Sequence, residues 1–287
     1  MNALRLTALS LAVLSITGAS LVQPVFAQAP AATGAATGAE FKPQIGQAGK
    51  DVVWVPTSQA LVDKMLDMAK VTANDYVMDL GSGDGRTVIT AAKRGAKATG
   101  IEYNPNMVEL SKKNAAAAGI GEKAEFRRAD LFETDFSQAT VITMFLLPSI
   151  NQKLRPKILD LKPGTRVVSN SFTMGEWQDD ETATVDSTQG CSTYCTAHFW
   201  IVPAKVQGTW KLGEGELALK QEFQMLSGTL TAGGKSIAIA NGRLRGDQIH
   251  FLAGGTEYTG KVSGGLIEGT TKSGSGAGKF QATRSGS

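Results

Sequence analysis

The sequence predicts a doubly wound α/β sheet followed by a small all-β antiparallel barrel or sandwich. Between Val52 and Pro203, short apolar strands alternate with segments whose apolar residues recur at helical spacing, as βαβ units around a parallel sheet require. From Val206 onward only strand-like segments and glycine turns remain, and 18 of the 33 glycines lie after residue 205. That second part also repeats itself: Gly242-Arg243-Leu244-Arg245-Gly246 before Ile249 matches Gly260-Lys261-Val262-Ser263-Gly264 before Ile267, each copy one hairpin unit. The composition shift puts a boundary near Ala204. The resulting division is a signal peptide over 1–27, a linker over 28–50, an α/β domain over 51–204 and a β-rich domain over 205–287.

Each element follows from local chemistry. Val52 to Pro56 is extended, and Thr57 or Ser58 can cap a helix carrying Leu61, Met65, Met68 and Ala69 on one face. Strands are expected at Tyr76–Leu80, Ala98–Glu102, Ala124–Arg128, Thr140–Leu147 and Thr165–Ser169. Thr140–Leu147 is apolar enough to be central in a parallel sheet. Helices are expected over Arg86–Arg94, from Pro105 to about Ala118, and over Ser149–Leu161; proline suits a first helical turn. Thr182–Ser187 and Tyr194–Val202 would close the sheet. In the second part, turns are expected at 213–215, 233–234, 241–242, 246–247, 254–255 and 264–265, which makes roughly eight strands.

The N-terminal region reads as a targeting signal. Met1–Arg5 carries one positive charge, Leu6–Val22 is uncharged and apolar, and Val25 and Ala27 occupy the positions read by a signal peptidase. Cleavage is expected after Ala27, giving a periplasmic or secreted protein with no transmembrane segment after processing. The formal charge of +3 and the lack of a lysine- or arginine-rich tract argue against a nucleic-acid partner. Export would place Cys191 and Cys195 in an oxidising compartment. They are read as a structural disulfide or two thiols in preference to a metal site, since a cluster needs more thiolates and His198 alone does not complete a zinc set. His250 reads as a surface or hairpin residue.

The chemistry concentrates at Asp79-Leu80-Gly81-Ser82-Gly83-Asp84-Gly85, between a strand and a helix. A dinucleotide loop would place its third glycine where Arg86 stands, and a phosphate-binding Walker loop would need Gly-Lys-Ser/Thr. The acid before the first glycine repels a pyrophosphate and suits a ligand carrying an ammonium and a sulfonium. S-adenosylmethionine is such a ligand. Glu102, at the end of the second strand, can accept both ribose hydroxyls, with Tyr103 beside it. Asp130, after the third strand, can accept from the adenine amino group, with Leu131 against the ring.

The loop Asp79 to Arg86 resembles the first motif of class I methyltransferases, whose fold is a Rossmann-like doubly wound sheet. The longer stretch from Val55-Pro56-Thr57-Ser58 to Thr173, including Gly100-Ile101-Glu102 and Phe145-Leu146-Leu147-Pro148, is similar to a narrower group. That group is the small protein-lysine methyltransferases of the ATP-synthase c-subunit and adenine-nucleotide-carrier type, with their bacterial relatives. The resemblance implies S-adenosylmethionine as cofactor, held by Thr57, Asp79, Gly81, Ser82, Gly83, Asp84, Glu102, Tyr103, Asp130 and Leu131. It implies methyl transfer to an amine, either a protein lysine or a small molecule. The segment after the fourth strand carries neither acid nor histidine, so no general base is named. Its residues are core strand or an apolar collar around the transferred methyl, with Phe145 and Pro148 at the mouth. The alternative is a non-catalytic envelope binding protein that retains the methyltransferase fold. The chain departs from the narrower group in its signal sequence and its β-rich second part.

Overall fold

A computed structural model describes residues 41–285. The expected signal peptide and the first part of the linker lie outside these residues.

The α/β part opens with α1 (Gln59–Met68), capped by Ser58, whose Oγ accepts from Leu61 N at 3.3 Å. There follow β1 (Tyr76–Leu80), α2 (Arg86–Lys93), β2 (Lys97–Glu102), α3 (Pro105–Ala117) and β3 (Ala124–Arg128). Next come β4 (Val141–Met144), α4 (Pro148–Leu159), β5 (Arg166–Asn170), β6 (Glu181–Thr184) and β7 (Thr196–Ile201). The sheet order is β3-β2-β1-β4-β5-β7-β6; the first five strands pair in parallel, and β7 pairs antiparallel to both neighbours. The order in which strands are added across the sheet reverses between β1 and β4, which opens a crevice beyond the carboxyl ends of the strands. Apolar residues pack both faces: Leu61, Val88, Val108 and Phe199 on one side, and Ile142, Leu154, Trp177 and Trp200 on the other.

Two differences from the sequence reading concern the crevice. The fourth strand, expected to run to Leu147, stops at Met144. Pro148 begins α4 and holds Leu147 extended, so Phe145 to Leu147 leave the sheet. Residues 44–50, expected to end a linker, instead fold back against the extended segment that follows. Gly46 N donates to Trp54 O and Trp54 N to Gln47 O, both at 2.9 Å.

The second part is a barrel. Its strands are β8 (Gly208–Leu212), β9 (Gly215–Glu222), β10 (Met225–Ala232), β11 (Lys235–Arg245), β12 (Gln248–Ala253), β13 (Thr256–Ser263), β14 (Leu266–Ser273) and β15 (Gly276–Arg284). Consecutive strands pair antiparallel, and β15 pairs with β8 to close the circle. Leu217, Leu230, Phe251, Ile267 and Phe280 fill the interior. The repeated glycine segments end β11 and β13 and turn into β12 and β14.

The turn expected at Asn241-Gly242 is absent. Those residues lie inside β11, where the pairing with β10 and with β12 shifts register and Asn241 takes φ 52°. The asparagine-glycine pair supplies a bulge that bends a long strand around the barrel. The hairpin between β9 and β10 turns instead on Phe223 and Gln224, a pair with no glycine. Their environment explains the choice: Phe223 stacks on Trp177 with centroids 6.1 Å apart, and Gln224 Nε2 donates to Gln178 O at 2.8 Å. Arg243 reaches Asp180 at 2.6 Å and Ala204 N donates to Gly246 O at 2.8 Å, so the barrel is fastened along one edge of the α/β part. Among the described residues, no helix is long and apolar enough to cross a membrane.

Candidate cofactor and acceptor pocket

The glycine loop works by alternation. Gly81, Gly83 and Gly85 take φ 80°, 54° and 83°, so every second residue is left-handed and the backbone coils tightly off β1. A side chain at Gly81 would place its Cβ 2.9 Å from Leu146 Cδ2, and one at Gly83 would sit 2.7 Å from Trp54 Nε1. The loop is fastened to β2, since Gly81 N and Ser82 N both donate to Ile101 O, at 2.9 and 3.0 Å.

Strand register brings the acids together. Asp79 pairs across β1 and β4 with Thr143, whose hydroxyl donates to Asp79 Oδ1 at 2.6 Å. Asp79 is only 6% exposed. Burial pushes its pKa up to about 7; the Thr143 hydrogen bond works against this, while the charges of Glu102 and Asp84 add to it. Glu102 closes β2, with Oε2 accepting from Gly83 N at 3.0 Å and Oε1 from Asn104 N at 2.9 Å. Two backbone donors fix that carboxylate at the pocket wall and leave it lone pairs for hydroxyl donors. Asp130 lies two residues beyond β3 and turns the chain, accepting from Phe132 N at 2.8 Å.

These residues line one pocket with Thr57, Tyr103, Leu131 and Phe145. Every cofactor-side candidate from the sequence lines it; Pro148 does not, being the exposed first residue of α4. Asp84 has a bracing role on the wall. Arg86 holds it through Nε to Oδ1 at 3.0 Å and Nη2 to Oδ2 at 2.6 Å, while Nη1 donates to Thr57 O at 2.7 Å. Thr57 leaves the helix cap to Ser58, and its Oγ1 accepts from Asn170 Nδ2 at 3.1 Å.

Sequence reasoning missed the segment over the mouth. Gln47 to Pro56 line the pocket; Lys50 pairs with Asp130 and stands 4.8 Å from the Tyr103 ring centroid. The Lys50 ammonium holds the Asp130 carboxyl below its ordinary range. The one available signal was Trp54, a large apolar residue in a segment with no helical or alternating pattern. Also missed were Phe172 and Tyr194, which line the pocket beside Phe145. The Cys191–Cys195 disulfide closes the loop that carries Tyr194.

The pocket suits S-adenosylmethionine. The Ser82 hydroxyl is buried at the cradle with no hydrogen-bond partner, and buried hydroxyls are rarely left so. The buried Asp79 carboxyl likewise sits where an ammonium would restore its charge. Such a ligand would be held with its amino-acid end toward Asp79, its ribose toward Glu102 and its base toward Asp130 and Leu131, all of which line the pocket. His198 lies elsewhere, its Nδ1 2.9 Å from Asp179 Oδ2, and His250 pairs with Glu257 in the barrel.

Comparison with known proteins agrees. Residues 79–181 match the ANTKMT methyltransferase domain family. A protein-lysine N-methyltransferase of Saccharolobus islandicus is 44% identical over 138 residues, which cover 47% of this chain and 86% of that protein. The lysine N-methyltransferase of the ATP synthase c-subunit from Mus musculus is 36% identical over 45% of this chain, and the chain spans about half of it, 52%. Among solved structures, an RNA methyltransferase from Salinibacter ruber in complex with S-adenosyl-L-homocysteine is 48% identical, with 53% of this chain and 96% of that one covered and a TM-score of 0.49. With the archaeal enzyme matched over most of its length, the chain belongs to the S-adenosylmethionine-dependent protein-lysine methyltransferase family.

Proposed function

We propose that the protein is an exported N-methyltransferase whose acceptor is a lysine side chain. The observation that carries this reading is the pairing of an acid-lined glycine cradle with an acceptor mouth made of rings. Asp79, Glu102 and Ser82 supply the cradle, and Phe145, Phe172 and Tyr194 the mouth. Lysine is the acceptor named for the archaeal, mouse and human relatives. Export is supported by the charged, apolar and small-residue sections of residues 1–27 and by the Cys191–Cys195 disulfide.

S-adenosylmethionine supplies a methyl on a sulfonium sulfur, which keeps the bonding pair when an amine lone pair takes the methyl. The chain's contribution is alignment and exclusion of water. Asp79 and Glu102 orient the donor from two adjacent strand ends. Leu146 packs against the cradle at Gly81, and its neighbour Phe145 lines the same pocket at the mouth. The amine must arrive neutral, and its proton can pass to solvent.

The test is to incubate the purified chain starting at Gln28 with S-adenosylmethionine and envelope extract, then read products by mass spectrometry. The expected result is S-adenosylhomocysteine together with methylated lysine. Cofactor binding with no S-adenosylhomocysteine formed is the behaviour of a binding protein and would overturn the transferase reading. An N-terminus of Met1 on the protein from cells would overturn export.

A further inference from the structure

The mouth of the pocket carries three aromatic rings from three separate elements. Phe145 follows β4, Phe172 follows β5, and Tyr194 precedes β7, whose antiparallel direction brings its start to the same edge of the sheet. The ring centroids lie 5.2 Å apart for Phe145 and Tyr194, 6.0 Å for Phe172 and Tyr194, and 6.1 Å for Phe145 and Phe172. Tyr194 is tilted 58° and 54° to its two partners, so the three do not form a flat stack. We infer that these rings are an aromatic cage for an alkylammonium group, with Tyr194 the ring that sets acceptor specificity. The inference rests on the transferase reading and names the chemistry that the mouth recognises.

Tyr194 is held at a cost. It takes φ 55°, a left-handed conformation that an aromatic residue rarely adopts, and its side chain remains 46% exposed. Such a backbone is strained and persists only where its surroundings over-determine it. The Cys191–Cys195 disulfide brackets the residue. A ring that served only to bury apolar surface would gain little from being half in water.

The electrostatics favour a cation. Asp51, Asp79, Asp84, Glu102 and Asp130 line the pocket, and of its two cationic residues Lys50 is paired to Asp130 and Arg86 to Asp84. Those acids lie on the cradle side, and neither acid nor histidine stands among the three rings. An ammonium there would meet the rings, whose quadrupoles attract a cation without requiring an N–H donor. A carboxylate pocket would weaken its hydrogen bonds as methyl groups replace hydrogens. A cage holds primary, methylated and quaternary ammonium alike, so an acceptor that loses its proton to solvent between transfers can be methylated again without losing its place, until the nitrogen is quaternary.

The test uses the chain from Gln28, loaded with S-adenosylhomocysteine, whose binding is measured first by calorimetry. The probes are Nα-acetyl-Nε-trimethyllysine methylamide and its neutral isostere with carbon in place of the quaternary nitrogen. The cation is expected to bind about tenfold tighter than the isostere, as about 1.4 kcal/mol of cation–π attraction dictates. Tyr194→Ala should abolish that preference and Tyr194→Phe should keep it. Phe145→Leu, which preserves apolar volume but removes a π face, should weaken the cation more than the isostere. Equal binding of the two probes, or an unchanged preference in Tyr194→Ala, overturns the cage and leaves the transferase reading standing. If S-adenosylhomocysteine itself fails to bind, both readings fall.

Discussion

The two halves of the pocket are assembled differently. On the cofactor side, Asp79, Gly81, Gly83 and Glu102 come from one β-loop-α-β passage, and their backbones hold one another through Ile101 O and the Glu102 carboxylate. On the acceptor side, Phe145, Phe172 and Tyr194 come from three loops and meet only through the sheet order β4-β5-β7. The first half binds a ligand of fixed structure, which rewards a short motif with fixed spacing. The second must fit an acceptor, which can be served by any rings that reach the mouth. A motif is therefore visible on one side and hidden on the other.

The sharpest way to separate the halves is through Asp79. Its folded pKa of about 7 stands above its ordinary value of 3.8 because burial disfavours the charge. A raised carboxylate keeps its proton in the folded protein after the unfolded chain has lost it, so its contribution to stability falls as pH rises from about 4 to about 7. The full difference is on the order of 4 kcal/mol. The ligand's ammonium needs the ionised form, so affinity for S-adenosylhomocysteine should rise about tenfold per pH unit below 7 and level off above it. Asp79→Asn should remove both effects: the melting temperature at pH 8 rises relative to wild type, and ligand affinity drops about ten- to a hundredfold with no pH slope. Calorimetry from pH 5 to pH 8 on both proteins checks this; a parallel slope in Asp79→Asn would place the titrating group elsewhere. Binding of the trimethyllysine probe should change far less.

What could be read beforehand follows the same division. Asp79, Gly81, Gly83 and Glu102 were legible because strand, loop and strand are adjacent in sequence and the acids recur at strand ends. The barrel was legible through most of its glycine turns; Asn241-Gly242 was misread because it bulges inside β11, and Phe223-Gln224 was missed because packing on Trp177 replaces local turn chemistry. Tyr194 was hidden because nothing local tells an aromatic residue in a cysteine-bracketed loop where an antiparallel strand will carry it. The segment around Lys50 was hidden because its order comes from the pocket it covers, through Trp54 against Gly83 and Lys50 on Asp130.

The disulfide offers the reverse experiment, aimed at the acceptor half alone. Cys191→Ala with Cys195→Ala frees the loop from its left-handed turn at Tyr194. So short a loop contributes roughly 2 kcal/mol to stability by the chain-entropy argument. Affinity for the trimethyllysine probe should fall several-fold, and S-adenosylhomocysteine should bind as before. A matching loss on both ligands would mean that the halves are mechanically coupled and would undo the division drawn above. Dithiothreitol on the wild-type chain should reproduce the variant's effect and leave the variant itself unchanged.

The smallest effect is expected where the covering segment meets the cofactor half. Lys50 occupies an oxygen of Asp130 and stands over Tyr103, the position from which an adenine amino group would have to displace it. The pair is partly solvated, with side-chain exposures of 34% for Lys50 and 19% for Asp130, so breaking it costs little. Lys50→Met keeps a flexible apolar stem over the mouth and removes the competing charge. Affinity for S-adenosylhomocysteine should therefore tighten about two- to fivefold in low salt, a gain that shrinks as added salt screens the wild-type pair. Weaker binding would mean that the ammonium contributes to the bound state and does not compete with the base. In that case Asp130 acts by holding Lys50 in place, and the adenine contact passes to Leu131 and the backbone beside it.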